Sequence, residues 1–333
     1  MAVLYLTEQG AKVARKGNRL VVSKGEQELL SYPIHKLKRV VVQGRVNISV
    51  PLLLTLFEYE IDVVLMSATG SYRGSLGGRM PANASLRLAQ FRAYEDHEYR
   101  LAMAKQFVKA KIRQMRGCLQ AYKRNYADAP FEEACRKFQR IEVQADRAPN
   151  LQNLLGIEGG ASKEYFAAFP AMLRVPHPFA GRNRRPPQDW VNSLLSLGYT
   201  FLFVEASSRV EAVLLDPYVG FLHEVRYGRK SLALDLCEEF RHSLIDPMVI
   251  RIINLKILTE KDFTSGSEGV KLNKEGFKKF VEEFENRLGK KALKKANGKN
   301  LSWGELLEAQ ASEMRNAIEE KRLYRPFDQR NDW

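Results

Sequence analysis

The chain has 333 residues, of which 45% are hydrophobic, so it is long enough for two domains with ordinary packed cores. Three widely separated cysteines exclude a disulfide framework, and the lack of a signal peptide or of a ~20-residue apolar stretch argues against membrane insertion, so we expect a cytoplasmic protein. The formal net charge of +14 favours a polyanionic partner, nucleic acid or an anionic membrane surface, over a basic protein with no such partner.

Residues 1–84 predict a small β-rich domain. Short runs rich in Val, Leu and Tyr alternate with turn-forming glycines, and this pattern is typical of strands in AVLYL, AKVAR, RLVVSK, LKRVVVQG, VNISV and IDVVLMS. Pro51 stands at a favoured first-turn position and predicts a short apolar helix in LLLTLFEYE. GSYRGSLGG predicts a glycine-rich loop.

Residues 85–333 predict a larger, mainly α-helical domain, which makes the fold class α+β. Helix formers without proline fill residues 86–122, and strand signals are almost absent downstream. The segment 174–187 holds four prolines and cannot be helical. Further helices are predicted around residues 131–144, 150–169, 189–215, 229–243, 246–258, 273–289 and 303–322.

Glu158 lies in a helical stretch that is unusually rich in glycine, NLLGIEGGASKEYFAAF. Gly156, Gly159 and Gly160 surround it, and each glycine inside a helix costs roughly 1 kcal/mol relative to alanine. Such a cost indicates close approach by a second helix, a ligand or a nucleic-acid backbone. The alternative is a packing site whose glutamate is solvated or ion-paired.

A second candidate site lies in LDPYVGFLHEVRYGRKSLALDLCEEFR, residues 215–241. Asp235 and Glu238 are three residues apart on a predicted helix and therefore share a face, where two like charges repel unless a cation lies near them. With His223 they form a suitable ligand set for Mn²⁺ or Mg²⁺, and the mixed imidazole and carboxylate donors favour Mn²⁺. The alternative is a satisfied histidine and acids that face water.

Basic side chains accompany these acids. Cations suit phosphodiester chemistry because they hold phosphates while a metal activates the reacting oxygen, although solvated surface charge is the other interpretation. The candidate DNA-binding residues are Arg182, Arg184, Arg185, Arg229, Lys230 and Arg241.

Three stretches, in this order and spacing, resemble the first, universal CRISPR-associated (Cas) protein, the endonuclease-integrase of the adaptation module. They are GIEGGASKEYF, FAGRNRRPPQDWVNSLLSLGYTFL and DPYVGFLHEVRYGRKSLALDLCEEFR. The resemblance covers nearly the whole chain, and the third stretch looks most like the variant of type I-C systems. The resemblance implies an N-terminal β domain, a hinge and an α-helical domain.

The resemblance also implies a site and a reaction. Glu158, His223 and Glu238 would bind one divalent ion, Mn²⁺ or Mg²⁺, and Asp235 would be a further catalytic acid. The implied reaction is strand transfer, in which the 3′-hydroxyl of a captured DNA fragment attacks a phosphodiester at the border of a CRISPR repeat. With water as the nucleophile the same site would act as a nuclease.

The resemblance further implies a homodimer formed through the β domain, and two such dimers would bind a dimer of the second Cas adaptation protein, a small ferredoxin-like partner. Two other functions stay open. A stand-alone nuclease acting on branched DNA would use the same ligands and differ only in its partner. A non-catalytic DNA-binding scaffold would bind DNA regardless of metal and of Glu158.

Overall fold

The computed structural model describes residues 2–68, 70–77, 83–123, 131–183, 186–267, 269–294 and 300–327. The chain divides into two compact units, Met1–Ala82 and Asn83–Trp333. Strands dominate the first unit and helices the second, so the predicted α+β class is confirmed. Within the described ranges, every helix is too short or too polar to span a bilayer.

In its described residues, the N-terminal unit contains two four-stranded sheets and one α-helix. Its elements are β1 (Ala2–Leu6), β2 (Lys12–Lys16), β3 (Arg19–Lys24), β4 (Gln27–Pro33), β5 (Leu37–Gln43), β6 (Asn47–Ile48), α1 (Val50–Glu58), β7 (Asp62–Met66) and β8 (Tyr72–Leu76). One sheet has the order β1-β5-β7-β8, with β1, β5 and β7 parallel and β8 antiparallel to β7. The other has the order β4-β3-β2-β6 and is antiparallel except where β6 joins β2.

Burial in the core of this unit explains the apolar runs in its sequence. Strand β5 is central in its sheet and buried along nearly its whole length, so LKRVVVQ shows a continuous apolar run instead of alternation. Leu20, Val40, Leu52 and Val63 are fully buried in one cluster. Pro51 lies in the first turn of α1, as predicted, where its missing N–H breaks no helical hydrogen bond.

Two expectations for this unit are wrong. GSYRGSLGG contains the edge strand β8, whose glycine masked the strand pattern. Strand β4 was not predicted at all, because most of its side chains are exposed and it therefore lacks the alternation of a half-buried strand.

The C-terminal unit is built from helices and two short hairpins. Its helices are α2 (Ala84–Glu95), α3 (His97–Lys123), α4 (Phe131–Asp146), α5 (Leu151–Ala168), α6 (Trp190–Ala212), α7 (Ser231–Phe240), α8 (Asp246–Asn254), α9 (Lys274–Gly289) and α10 (Trp303–Glu319), with a π-helical turn at Arg241–Ile245. Its hairpins pair β9 (Phe263–Gly266) with β10 (Gly269–Leu272) and β11 (Lys291–Lys294) with β12 (Asn300–Ser302). Helix α3 packs against α4, α5 and α7, and α6 also packs against α7.

The predicted helices are present, with two corrections. The predicted segment 86–122 is two helices, because Asp96 ends α2 and its carboxylate accepts a hydrogen bond from Tyr99 N, 3.0 Å away, at the start of α3. The four short strands of the hairpins were not expected, since runs of three or four residues carry too little periodicity to be seen.

The buried cluster of the N-terminal unit gives a stability prediction. Leu20→Ala removes a side chain that is 0% exposed, and we expect it to lower the free energy of unfolding by about 2–5 kcal/mol. Leu54→Ala is the control, because Leu54 is 57% exposed and its loss should change stability by no more than about 0.5 kcal/mol. Urea unfolding of both variants tests this, and equal midpoints would contradict it.

Candidate metal centre

Three helices of the C-terminal unit bring charged side chains to one place. Glu158 lies in α5, Glu238 in α7 and Lys111 in α3. The Lys111 Nζ atom contacts Glu158 Oε1 and lies 2.5 Å from Glu238 Oε2. The Lys111 and Glu238 side chains are only 6% and 5% exposed, and that of Glu158 is 21% exposed. Two acids that are distant in sequence therefore share one ammonium group.

Each of these carboxylates has a second partner. Arg241 Nε lies 3.1 Å from Glu238 Oε1, and Ser162 Oγ donates a hydrogen bond of 3.0 Å to Glu158 Oε1. Glu238 Oε2 is buried, and its close ionic contact is with the Lys111 ammonium group.

The charges around Glu238 keep it ionised. Burial alone would raise the pKa of its carboxyl group, but Arg241, Lys111 and His223 together hold that pKa well below its ordinary value. The anionic form is the one that can bind a cation, so Glu238 has the protonation state of a metal ligand at neutral pH.

Asp235 holds the segment that precedes α7. Its Oδ2 atom accepts hydrogen bonds from Phe221 N at 2.6 Å and Leu222 N at 3.0 Å. Its Oδ1 atom accepts one from His223 N at 3.0 Å and lies 2.7 Å from His223 Nδ1. The carboxylate is 0% exposed and fully engaged, so in this geometry Asp235 positions the segment and the imidazole ring.

Gly220 allows this close approach. A Cβ atom at position 220 would lie 2.7 Å from the backbone carbon of Ser231 and 2.8 Å from Asp235 Oδ2. Any side chain there would therefore push the segment away from the start of α7 and from the carboxylate that holds it.

His223 lies within electrostatic range of Glu238. Burial lowers the pKa of its imidazole, but the hydrogen bond and charge of Asp235, together with the charge of Glu238, outweigh burial and raise that pKa above its ordinary value. Because Asp235 engages Nδ1, the Nε2 atom is the ring nitrogen that is left to bind a metal.

The donor set fits a divalent cation such as Mn²⁺ or Mg²⁺: one imidazole nitrogen and two carboxylates. The Lys111 ammonium between Glu158 and Glu238 shows that positive charge is favoured there. Among the residues that the structure describes, however, no three His, Cys, Asp or Glu side chains lie close enough to share one ion. The three predicted ligands thus lie in one region without forming a closed ligand set.

The glycines of α5 lie on an open face, on the opposite side of the helix from Glu158, which shares a face with the buried Leu154 and Tyr165. Gly156, Gly159 and Gly160 are exposed, and a Cβ atom at any of them would meet nothing within 4 Å in the described part of the chain. We expected close approach by a second helix, a ligand or a nucleic-acid backbone at these glycines. No second helix of the described chain packs there.

Four predicted DNA-binding residues make contacts inside the protein. Arg182 donates to Asn192 Oδ1 and Ser196 Oγ, Arg229 to the Glu224 carbonyl oxygen, Lys230 pairs with Glu211, and Arg241 pairs with Glu238. Arg184 and Arg185 lie outside the described residues. The DNA-binding roles of all six residues stay predictions.

Lys111 was missed by the sequence analysis, although a signal for it was present. Met103, Phe107, Lys111 and Cys118 recur at helical spacing on the buried side of α3. A lysine on a buried stripe needs an anionic partner, which the sequence alone does not identify.

Comparisons with known proteins agree over nearly the whole chain. The family described as "CRISPR associated protein Cas1" matches residues 4–286. Over 98% of this chain, the sequence is 38% identical to "CRISPR-associated endonuclease Cas1 3" of Thermus thermophilus and covers 97% of it. It is 31% identical to "CRISPR-associated endonuclease Cas1 1" of Chlorobaculum tepidum, covering 97% of each chain.

Solved structures show the same relationship. The structure of a CAS1 protein from Thermotoga maritima has a TM-score of 0.84 at 25% identity, covering 98% of this chain and 100% of that one. The type I-C subtype stays a prediction, whereas the resemblance noted from three sequence stretches is confirmed: this chain belongs to the Cas1 family.

Proposed function

We propose that this protein is a metal-dependent DNA integrase and endonuclease that inserts captured DNA into a CRISPR repeat. The observation that carries the proposal is the convergence of Glu158 and Glu238, from separate helices, on the Lys111 ammonium group. His223, whose ring is oriented by Asp235, lies within electrostatic range of Glu238. Family membership supports the substrate class, because the curated relatives are named CRISPR-associated endonucleases.

The proposed reaction is strand transfer. The 3′-hydroxyl oxygen of a DNA fragment forms a bond to a phosphorus atom of the repeat, the 3′-oxygen of the target strand leaves, and the hydroxyl proton passes to it through solvent. Glu158, Glu238 and His223 Nε2 would hold Mn²⁺ or Mg²⁺, which lowers the pKa of the attacking hydroxyl group and neutralises charge on the phosphate. With water as the attacking group, the same site would cleave DNA.

The chain's own residues prepare this site. Asp235 fixes the imidazole through Nδ1 and keeps Nε2 available. Arg241 and Lys111 keep Glu238 ionised despite its burial. No side chain of the protein needs to act as a covalent nucleophile, because the DNA supplies the attacking oxygen.

The open glycine face of α5 supports approach of a DNA backbone. Three exposed glycines inside one helix each cost roughly 1 kcal/mol relative to alanine. Nothing in the described chain packs on them, so they leave room for a strand to pass close to the backbone of α5. The net charge of +14 adds a long-range attraction for the phosphates of such a strand.

We further propose that the protein acts in the cytoplasm as a homodimer that binds DNA and the small second Cas adaptation protein. Strand β4 ends its sheet, and its Leu29 and Leu30 side chains are 43% and 39% exposed. An edge strand with exposed apolar side chains is a surface that a second copy can cover.

An integration assay tests the function directly. The protein, the second Cas adaptation protein and a short DNA fragment are mixed with a plasmid that carries the cognate leader and repeat. Covalent insertion at the repeat border supports the proposal. Cleavage of branched DNA without insertion would indicate the stand-alone nuclease, and metal-independent DNA binding without either reaction would indicate the scaffold.

The ligand assignment predicts loss of activity without loss of fold. We expect Glu158→Gln and His223→Ala each to reduce strand transfer at least about 100-fold, because loss of a ligand should exceed the 10–100-fold effects of outer-shell changes. Glu164→Gln is the matched control, since Glu164 lies in the same helix, is 43% exposed and pairs with Lys137. Chelation with EDTA should abolish the activity of the control, and thermal melting should show that all variants are folded. Wild-type integration by either ligand variant would refute its role.

The open glycine face predicts opposite effects on stability and activity. Gly159→Ala should raise the free energy of unfolding by up to about 1 kcal/mol, because alanine favours the helix, yet should slow strand transfer by obstructing the DNA backbone. Asn153→Ala is the control, because it improves helix propensity at an exposed position in the first turn of α5. Melting and integration are measured together; a stabilised Gly159→Ala protein with full activity would contradict the proposed path of DNA.

The proposed assembly is tested by light scattering. We expect the full chain to be a dimer and residues 85–333 alone to be a monomer, because the apolar edge at β4 belongs to the first unit. A helical unit that dimerises as tightly as the full chain would show that the contact lies elsewhere.

A further inference from the structure

Lys111 has no assigned role, and its position suggests one. We propose that Lys111 is the positioning residue of the metal centre: its ammonium group holds Glu158 and Glu238 together across α5 and α7, and a divalent ion binds by displacing it. This inference rests on the proposed function, because it takes the centre to bind a divalent ion.

The burial of Lys111 is the first argument. The residue is 5% exposed and lies on the face of α3 that also carries the fully buried Phe107, Val108 and Met115. A lysine is rarely found at such a depth unless its charge is paired, because an unpaired ammonium loses its hydration. An apolar side chain would pack in this position without the cost of burying a charge. The charge of Lys111 is therefore expected to have a function beyond packing.

The arrangement of its partners is the second argument. The Nζ atom contacts one oxygen from α5 and one from α7, and α3 packs against both helices. Lys111 is therefore a cross-link between the two helices that carry the proposed carboxylate ligands. Without it, two carboxylates would repel each other, and Glu238 Oε2 would be buried with no ionic partner.

The charge balance is the third argument. Glu158 and Glu238 supply two negative charges, and Lys111 and Arg241 supply two positive charges. The cluster is thus neutral by itself. A divalent ion placed on the same carboxylates would give these groups an excess of two positive charges. Lys111 is the cation best able to move away, because its ammonium group ends a flexible side chain.

Competition follows from the oxygen atoms involved. Arg241 lies against Glu238 Oε1, so Oε2, which contacts Lys111, is the oxygen left for a metal. On Glu158, Lys111 and Ser162 share Oε1, so the direct competition between the ammonium group and a metal is at Glu238 Oε2. The ammonium ends a flexible four-carbon chain, so it can withdraw while its methylene groups stay packed. Lys111 therefore keeps the centre assembled and raises the concentration of metal needed to fill it.

Lys111→Met tests the proposal in the full-length protein, because methionine keeps an unbranched apolar chain without the charge. We expect its melting temperature without divalent ions to fall and Mn²⁺ to raise that temperature more than in the wild type. We also expect calorimetric titration with Mn²⁺ to give a Kd at least about fivefold lower than the wild-type value, the lower end of common coupling effects between ligands.

Lys109→Met is the matched control. Lys109 lies in the same helix and pairs with Asp146 at 2.7 Å, away from Glu158 and Glu238. Its loss should leave both the Mn²⁺ affinity and the Mn²⁺-induced rise in melting temperature unchanged.

The outcomes separate this proposal from the proposed function. Equal or weaker Mn²⁺ binding by Lys111→Met overturns the role of Lys111 alone. If that variant folds only when it is produced with Mn²⁺, the result supports the proposal, whereas a variant that stays unfolded in saturating Mn²⁺ overturns it. If wild type and variant both fail to bind Mn²⁺ and Mg²⁺, the metal-dependent function falls, and this inference falls with it.

Discussion

A buried carboxylate needs a cation or hydrogen-bond donors beside it, and helix α7 carries three such carboxyl groups. Asp235, Glu238 and Glu239 are all buried there, and each has its partners in a different part of the chain. Asp235 binds the backbone and imidazole of the preceding segment, and Glu238 lies between Lys111 and Arg241. Glu239 accepts a hydrogen bond from Tyr324 near the end of the described chain. The acids of one short helix thus fix a loop, a neighbouring helix and the C-terminal segment around it.

Glu238 and Glu239 differ in charge because their partners differ. Cations hold the pKa of Glu238 low, and it stays ionised. For Glu239, burial outweighs the hydrogen bonds from Tyr324 and the Phe327 backbone and raises its pKa to about 8. Of these adjacent residues, Glu238 is therefore a charged group suited to binding a metal, whereas Glu239 is mostly neutral at pH 7. Sequence spacing alone would treat them as equivalent.

Much of the fold could be predicted from sequence, since long helices such as α5 and α6 show their period over many residues. Strands β4 and β8 could not, because an exposed edge strand and a glycine-bearing strand lack alternation. The site was harder. Glu158, His223 and Glu238 were singled out together through a resemblance, because helical spacing alone gives no reason to join α5 with α7. Lys111 was missed because its partners lie on other helices, and the sequence predicted a DNA-binding role for Arg241 but not its pairing with the buried Glu238.

The distribution of the centre over α3, α5 and α7 has a consequence for the order of synthesis. Chains emerge from the ribosome with the N-terminus first, and domains generally fold as units. The β-rich unit is complete before the first of these helices has been made, whereas Glu238 joins Lys111 only after most of the chain has been translated. A chain that stops before Glu238 therefore lacks one carboxylate of the proposed centre, and the centre can form only in a chain that has been translated past α7.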